Sequence, residues 1–171
     1  MGNDNIYHGL KNQLIASLLM FKDCVDRCPK NKWNKRHKDY PFSQVAFHTL
    51  FDCDLNLSDD EVELKEQQFH KENIIEFGNY DELNDQIRDG LYEKDFIVKY
   101  YQHCMEKIEL KMVNKSDEEL LIPNSDYYRN MTKMERYINC IRHTQHHAAQ
   151  LGFRLQLITG KMMEWIGGLS N

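Results

Sequence analysis

Helical periodicity of the apolar residues is the feature that most restricts the fold of this chain. In the first segment, from Ile6 to about Cys28, apolar side chains recur every three or four residues, which places them on one face of a helix. This stripe consists of Ile6, Leu10, Leu14, Leu18, Phe21 and Val25. No segment shows the alternation of apolar and polar residues, bounded by turn residues, that predicts a β-strand. We therefore expect an all-α chain.

Three further helices are predicted by similar patterns and by their end signals. One opens at Pro41, whose missing N–H suits a first helical turn, and another extends from roughly Asp81, and more firmly from Glu93, to about Val113. The last begins at the capping-box sequence TKME, where Thr132 can accept a hydrogen bond from the backbone three residues later, and it ends near Gly160. Four long helices predict a four-helix bundle, folded as one domain over 1–171.

The region 58–80, SDDEVELKEQQFHKENIIEFGNY, separates the second and third predicted helices and has no sustained period. It is long for a connection inside a compact domain. We therefore expect it to form a lid or a wall of a pocket.

Composition and charge exclude several classes of protein. An apolar share of 41% and a charged share of 29% are those of a folded globular chain. The net charge of -5 disfavours binding to nucleic acid or to an anionic membrane, and the longest apolar run, LIASLLMF, is too short to span a bilayer. The five cysteines form no CxxC pair, and no basic stretch leads into an apolar core near Met1. We therefore expect a cytoplasmic protein with reduced thiols.

Three of the eight histidines lie close together in the last predicted helix, within CIRHTQHHAAQLGFRLQ. His143 and His147 are four residues apart and project from one face of a helix, whereas His146 lies at the edge of that face or turned from it. Such a pair can clamp a metal ion. Thr144 stands where an HExxH metalloprotease carries its catalytic glutamate, so that class is disfavoured. Spacing alone leaves a metal site and a pair of ordinary helix histidines as equal alternatives.

His48 is the best candidate for a third ligand, since two protein ligands rarely hold an ion. It lies in the apolar sequence SQVAFHTLFDCDL of the second predicted helix, where an imidazole without a partner would be costly to bury. Gln44 and Asp52 lie four residues either side of it, and either could orient its ring, while Asp52 could also reach the ion. The remaining histidines lack this context and are expected at the surface or its boundary: His8, His37, His70 and His103.

Three stretches together resemble the DinB-like (YfiT-like) superfamily of metalloenzymes: QVAFHTLFDCDL, NCIRHTQHHAAQLGFRL and the tail EWIGG. The HxxxH pair followed by Gln150 is especially typical, and the likeness extends over essentially the whole chain in length and helix order. It implies an up-down-down-up four-helix bundle, often dimeric, with a divalent metal held by three histidines. Carried over to this sequence, the ligands would be His48, His143 and His147.

The resemblance also implies a class of reaction. Characterised relatives transfer low-molecular-weight thiols such as bacillithiol or mycothiol, or isomerise maleylpyruvate with a thiol cofactor. A three-histidine site suits Zn, Ni or Fe and leaves a coordination position open for a small-molecule substrate. We therefore expect a homodimeric thiol S-transferase acting on small electrophiles. Its general base is unknown from the sequence, and the nearest candidates are Asp52, Gln44 and His146.

Two other interpretations stay open. A non-catalytic metal- or ligand-binding stress protein would have the same fold and site without turnover. A purely structural helical protein would pair its histidines with aspartate or backbone groups and bind no metal. In the catalytic interpretation, the charge needed by an anionic thiol could come from three basic residues of the last helix: Arg136, Arg142 and Arg154.

Overall fold

The computed structural model describes residues 6–36, 40–84, 90–112, 116–123 and 131–169, and these residues form helices without any β-strand. The helices are, in chain order, α1 (Ile6–Arg27), α2 (Lys30–Trp33), α3 (Phe42–Leu57), α4 (Glu61–Glu66), α5 (Gln68–Glu72), α6 (Ile74–Phe77), α7 (Lys94–Lys111) and α8 (Lys133–Thr159). Two short 3₁₀ helices are also present, Asp81–Asn84 and Asp117–Leu121. The prediction of an all-α chain is confirmed.

The long helices begin and end where the sequence signals predict. Helix α3 begins directly after Pro41, and α1 ends two residues before Pro29. At the start of α8, the Thr132 hydroxyl accepts from the Glu135 backbone N–H at 3.3 Å, and the Glu135 carboxylate accepts from the Thr132 backbone N–H at 2.8 Å. Gly160 ends α8 with a φ of 72°, a left-handed conformation that glycine adopts without strain.

The four long helices share one core. Helix α8 packs against α1 and α3, α3 also packs against α7, and α7 packs against α1. Aromatic rings fill the space beside α3 and α7, where Phe47 stacks on Tyr92 with ring centroids 4.1 Å apart. Cys24 and Cys28, one turn apart in sequence, are both buried as free thiols. In the described part of the chain, no helix is long and apolar enough to cross a membrane.

The region 58–80 folds into the three short helices α4, α5 and α6 rather than into an irregular connection. Leu64 and Phe77 are buried, and the Phe77 ring lies 5.7 Å from that of Phe47 on α3. Each of these helices is only one or two turns long, which is too short for a hydrophobic period to show in the sequence. The region forms a wall of the core.

His70 is fully buried, so the prediction that it lies at the surface or its boundary is wrong. Burial is possible because both of its ring nitrogens have partners: Nε2 lies 2.7 Å from Asp54 Oδ2 and Nδ1 lies 3.2 Å from the Tyr80 hydroxyl. The same prediction named three other histidines. His8 and His103 are partly exposed, as expected, and His37 lies outside the described residues.

The chain beyond α8 returns along the groove between α1 and α8. The Arg27 guanidinium donates to the Met162 carbonyl at 2.9 Å, and the Met163 sulfur lies 3.7 Å from the Cys24 thiol. Met163 also covers Gly152 so closely that an added Cβ would lie 2.6 Å from its sulfur. The absence of a side chain at Gly152 therefore lets this tail reach the core.

We expect the same substitution to have opposite effects at two glycines. Gly152→Ala should lower the free energy of unfolding by about 1–3 kcal/mol, because the new methyl group overpacks the Met163 contact. Gly9→Ala in α1 should raise it by about 0.5–1 kcal/mol, because its Cβ meets nothing within 4 Å and alanine favours the helix. Urea unfolding followed by circular dichroism measures both. A stabilised Gly152→Ala variant would show that Met163 does not occupy this groove.

Candidate metal centre

The three predicted ligands come from two helices that pack against each other. His48 lies on α3, and His143 and His147 lie one turn apart on α8. The Nε2 atom of His143 is 3.1 Å from Nε2 of His48 and 3.1 Å from Nε2 of His147. The structure therefore brings one ring nitrogen from each of the three histidines to a common point.

Oxygen acceptors behind two of the rings determine which nitrogen carries the proton. His48 Nδ1 lies 2.6 Å from the Glu82 carboxylate, and His147 Nδ1 lies 3.1 Å from the Gln150 amide oxygen. In a neutral imidazole, a proton donated from Nδ1 leaves a lone pair on Nε2. Glu82 and Gln150 thus hold their rings with lone pairs facing the common point, as outer partners of metal-binding histidines do.

Asp52 lies behind His143 rather than behind His48. Its Oδ2 is 3.1 Å from His143 Nδ1, which is within reach of an ion pair, although the angle is too poor for a hydrogen bond. The prediction that Gln44 or Asp52 orients His48 is therefore wrong, since the Nδ1 of that ring contacts Glu82. Glu82 lies 34 residues further along the chain in a 3₁₀ helix, and no local pattern connects it to His48.

The lone pairs that the Glu82 and Gln150 acceptors favour on Nε2 would be paired by a cation at the common point. His48 and His147 both direct lone pairs at the common point, and a proton on His143 Nε2 could bind only one of them. At least one lone pair would face another nitrogen without a proton between them, which is costly in a partly buried site. A positive ion between the three nitrogens satisfies all of them.

The distances also fit a metal ion of ordinary size. Nitrogens that each lie ~2.1 Å from an ion are about 3.0–3.4 Å apart for coordination angles between octahedral and tetrahedral. The two Nε2 separations of 3.1 Å from His143 fall in this range. The third pair of ligand atoms, from His48 and His147, lies within 4.8 Å.

Burial and mutual repulsion keep this centre ready for a cation. Burial, together with the neighbouring His147 and His48 rings, lowers the pKa of His143 to about 3. Burial is also the main cause that lowers the pKa of His147, to about 4. Burial raises the pKa of Asp52 to about 7, although the nearby His48 opposes the shift. Both imidazoles of α8 are therefore neutral near pH 7, the state that binds a metal.

A second group of possible ligands lies deeper in the core: Asp54, His70 and His103. The Asp54 carboxylate is fully buried and contacts His70 Nε2 at 2.7 Å, the Tyr100 hydroxyl at 3.1 Å and the Lys107 ammonium at 2.5 Å. Burial alone would raise the pKa of Asp54, but the His103 ring 3.6 Å away, the hydrogen bond from His70 and the charge of Lys107 hold it well below its usual range.

This second group does not need a metal, because its hydrogen bonds are complete. His70 Nε2 donates to Asp54, and its Nδ1 can then accept from the Tyr80 hydroxyl. His103 Nε2 donates to the Gln67 amide oxygen at 2.8 Å. Lys107 already supplies the positive charge that a metal would bring. The group is a closed ion-pair network that joins α3, α5 and α7.

Three other residues of α8 lie away from the common point. His146 is exposed, and its ring meets that of His147 edge-on at 4.9 Å. Cys140 is fully buried in the core. Arg136 is also buried, and its guanidinium donates to two backbone carbonyls at the C-terminal end of α3. Arg136 therefore has a structural contact that occupies it, and it does not supply charge to the centre.

Comparison with known proteins adds no relative. No family model matches the chain, no curated protein is similar to it, and no solved structure matches it. The resemblance to the DinB-like superfamily therefore stays a prediction from sequence motifs. The all-α fold and the histidine group are properties of this structure.

We expect the metal-free protein to lose stability as the pH falls from about 6.5 towards 4. The folded-state pKa values of His143 and His147, about 3 and about 4, lie below the ordinary value of 6.5, so the unfolded chain binds more protons in this interval. Their contribution is fully present above pH 6.5 and is lost below it. Urea unfolding in excess chelator at several pH values measures this, and the His143→Gln/His147→Gln double variant should show a flatter profile. An equal slope in both proteins would assign the pH dependence to other groups.

Proposed function

We propose that this chain is a divalent-metal-dependent enzyme that transfers a low-molecular-weight thiol to small electrophiles, with His48, His143 and His147 as the metal ligands. One observation carries the proposal: the inner Nε2 atoms of three histidines converge while oxygen acceptors hold the outer Nδ1 atoms of two of them. Three imidazole ligands leave a coordination position open for substrate, and they suit Zn, Ni or Fe.

We further propose the fold that the resemblance implies, an up-down-down-up four-helix bundle that forms a homodimer. Contacts between helices support the order of directions within one chain. Helices α1 and α8 run in the same direction, and so do α3 and α7. Helices α3 and α8 run in opposite directions. These contacts are Tyr7 with Tyr137 and Cys24 with Ala148; Phe47 with Phe96 and Asp54 with Lys107; and His48 with His143 and Leu55 with Arg136.

The chain's own residues prepare the site for thiol chemistry. When bound, a divalent ion supplies a Lewis acid that lowers the pKa of a thiol beside it and makes it a nucleophile near neutral pH. Glu82 and Gln150 keep two of the ligand rings in the tautomer that binds a cation. Asp52, with its pKa raised to about 7, can hold or release a proton beside His143 Nδ1 near neutral pH.

Metal content tests the ligand assignment. Protein purified without a nickel column should contain close to one divalent ion per chain, measured by plasma mass spectrometry. His48→Ala and His147→Ala should each abolish it, because each removes one of three ligands. His146→Ala is the matched control, since this neighbour of His147 is exposed and lies off the common point, and it should keep the ion.

Stability gives a second measure of the same ion. The free energy of unfolding should be about 2.7 kcal/mol higher when free metal is at a hundredfold excess over its dissociation constant than when a chelator has removed the metal. Stoichiometric metal in both alanine variants would exclude the three-histidine site. A second ion that disappears in His70→Phe would instead show that the Asp54 network binds metal.

A non-catalytic metal-binding protein is the second candidate, and the position of Asp52 favours it. This carboxylate lies on the outer side of His143, and His146 is exposed. Of the three candidate bases, Asp52 and His146 therefore do not face the common point.

Turnover separates the two candidates. The metal-loaded protein should conjugate a low-molecular-weight thiol to a chlorodinitrobenzene electrophile faster than the uncatalysed reaction, and His48→Ala should return the rate to the uncatalysed value. Loss of free thiol and gain of absorbance by the conjugate report the reaction. Full metal occupancy without turnover over a panel of thiols and electrophiles would support the binding protein and contradict the transferase.

A further inference from the structure

A cavity of about 550 Å³ lies next to the candidate metal centre, between α2, the start of α3 and the C-terminal half of α8. This volume is typical of small-molecule pockets. The lining residues include Lys32, Phe42, Gln150, Phe153, Arg154 and Leu157. The cavity is thus built from two basic side chains, one amide and a set of large apolar groups.

The charge of this cavity is opposite to that of the chain. The chain carries a net charge of -5, yet Lys32 and Arg154 both line the cavity, and none of its described lining residues is acidic. Arg154 donates from its guanidinium to the Tyr40 carbonyl at 2.7 Å, which holds the group at the cavity wall. A guanidinium has five N–H donors and can contact a carbonyl and a carboxylate together.

The remaining wall is apolar and open to solvent. Phe153 and Leu157 lie one turn apart on α8 and are 62% and 72% exposed, while Phe42 closes the inner side of the cavity. Two large apolar side chains exposed together beside a basic pair can cover the apolar body of a ligand.

Gln150 connects the cavity to the metal centre. Its amide oxygen contacts His147 Nδ1 at 3.1 Å, and the same side chain lines the cavity. Arg154 lies one turn beyond Gln150, and its charge contributes to the lowered pKa of His147. His147 and Arg154 are seven residues apart, which is ~10 Å along an α-helix. A molecule of that length could contact Arg154 at one end and reach the histidines at the other.

We propose that this cavity binds one of the substrates as an organic carboxylate, with the carboxylate on Lys32 and Arg154 and the apolar body against Phe153 and Leu157. The substrate class follows from the proposed function, since the ligand's other end would lie at the three histidines. The binding of a carboxylate to the cavity itself depends only on the cavity residues.

Isothermal titration with octanoate and with the uncharged octanamide tests the proposal on the protein as purified. Octanoate should bind about tenfold more tightly than octanamide, a difference of about 1.4 kcal/mol, because hydrogen bonds to a charged group are stronger than those to a neutral one. Arg154→Gln and Lys32→Gln should each weaken octanoate binding severalfold and leave octanamide binding unchanged. Arg142→Gln, on the same helix but outside this cavity, is the matched control and should bind octanoate as the wild type does.

The His48→Ala variant distinguishes this proposal from the metal proposal, because His48 does not line the cavity. Octanoate binding retained in this variant would show that the carboxylate is held by the cavity, whatever the metal content of the wild type. Binding that disappears with the ion would assign the carboxylate to the metal and overturn the proposal. Equal affinity for octanoate and octanamide, equal losses in Arg142→Gln and Arg154→Gln, or no saturable binding would also overturn it.

Discussion

The packing of α3 against α8 is the interaction on which the rest of the structure depends. At one end of this interface, the buried Arg136 guanidinium donates to the carbonyls of Leu55 and Ser58 at the C-terminal end of α3. At the other end, Arg154 donates to the carbonyl of Tyr40, just before α3. Because both ends are held, the register between the helices is fixed, and His48 meets His143 at 3.1 Å between them.

Two groups of histidines in this bundle differ in whether their hydrogen bonds are complete. The difference arises because one group has enough protons for its acceptors and the other does not. Around Asp54, each contact of a histidine ring nitrogen joins one donor to one acceptor. Lys107 supplies the positive charge of this group. Around His143, the outer acceptors take the protons and leave lone pairs facing one another. Proximity of histidines alone therefore does not separate a candidate metal centre from a closed hydrogen-bond network, whereas the contacts of their outer nitrogens do.

Much of the fold and part of the centre could be predicted from the sequence. The four long helices, the Thr132 cap and the Gly160 end depend on residues within a turn or two of each other, so local patterns report them. The three helices of the region 58–80 were not predicted, because each is shorter than the stretch of sequence in which a helical period can be recognised. The burial of His70 was not predicted either, because it depends on a contact with Asp54, which belongs to another helix.

The sequence by itself determined the helical class, the helix ends and the choice of His48, His143 and His147 as the residues that could share an ion. The helices, their ends and the His143/His147 pair follow from spacing along one helix, where side chains four residues apart share a face. His48 stands out instead because an imidazole without a partner is costly in its apolar surroundings. Only the tertiary structure decided that Glu82, rather than Asp52, holds the His48 ring, and that Lys32 and Arg154 line one cavity. Those pairings join segments far apart in the chain, and their distances depend on how the helices pack rather than on any local conformational preference.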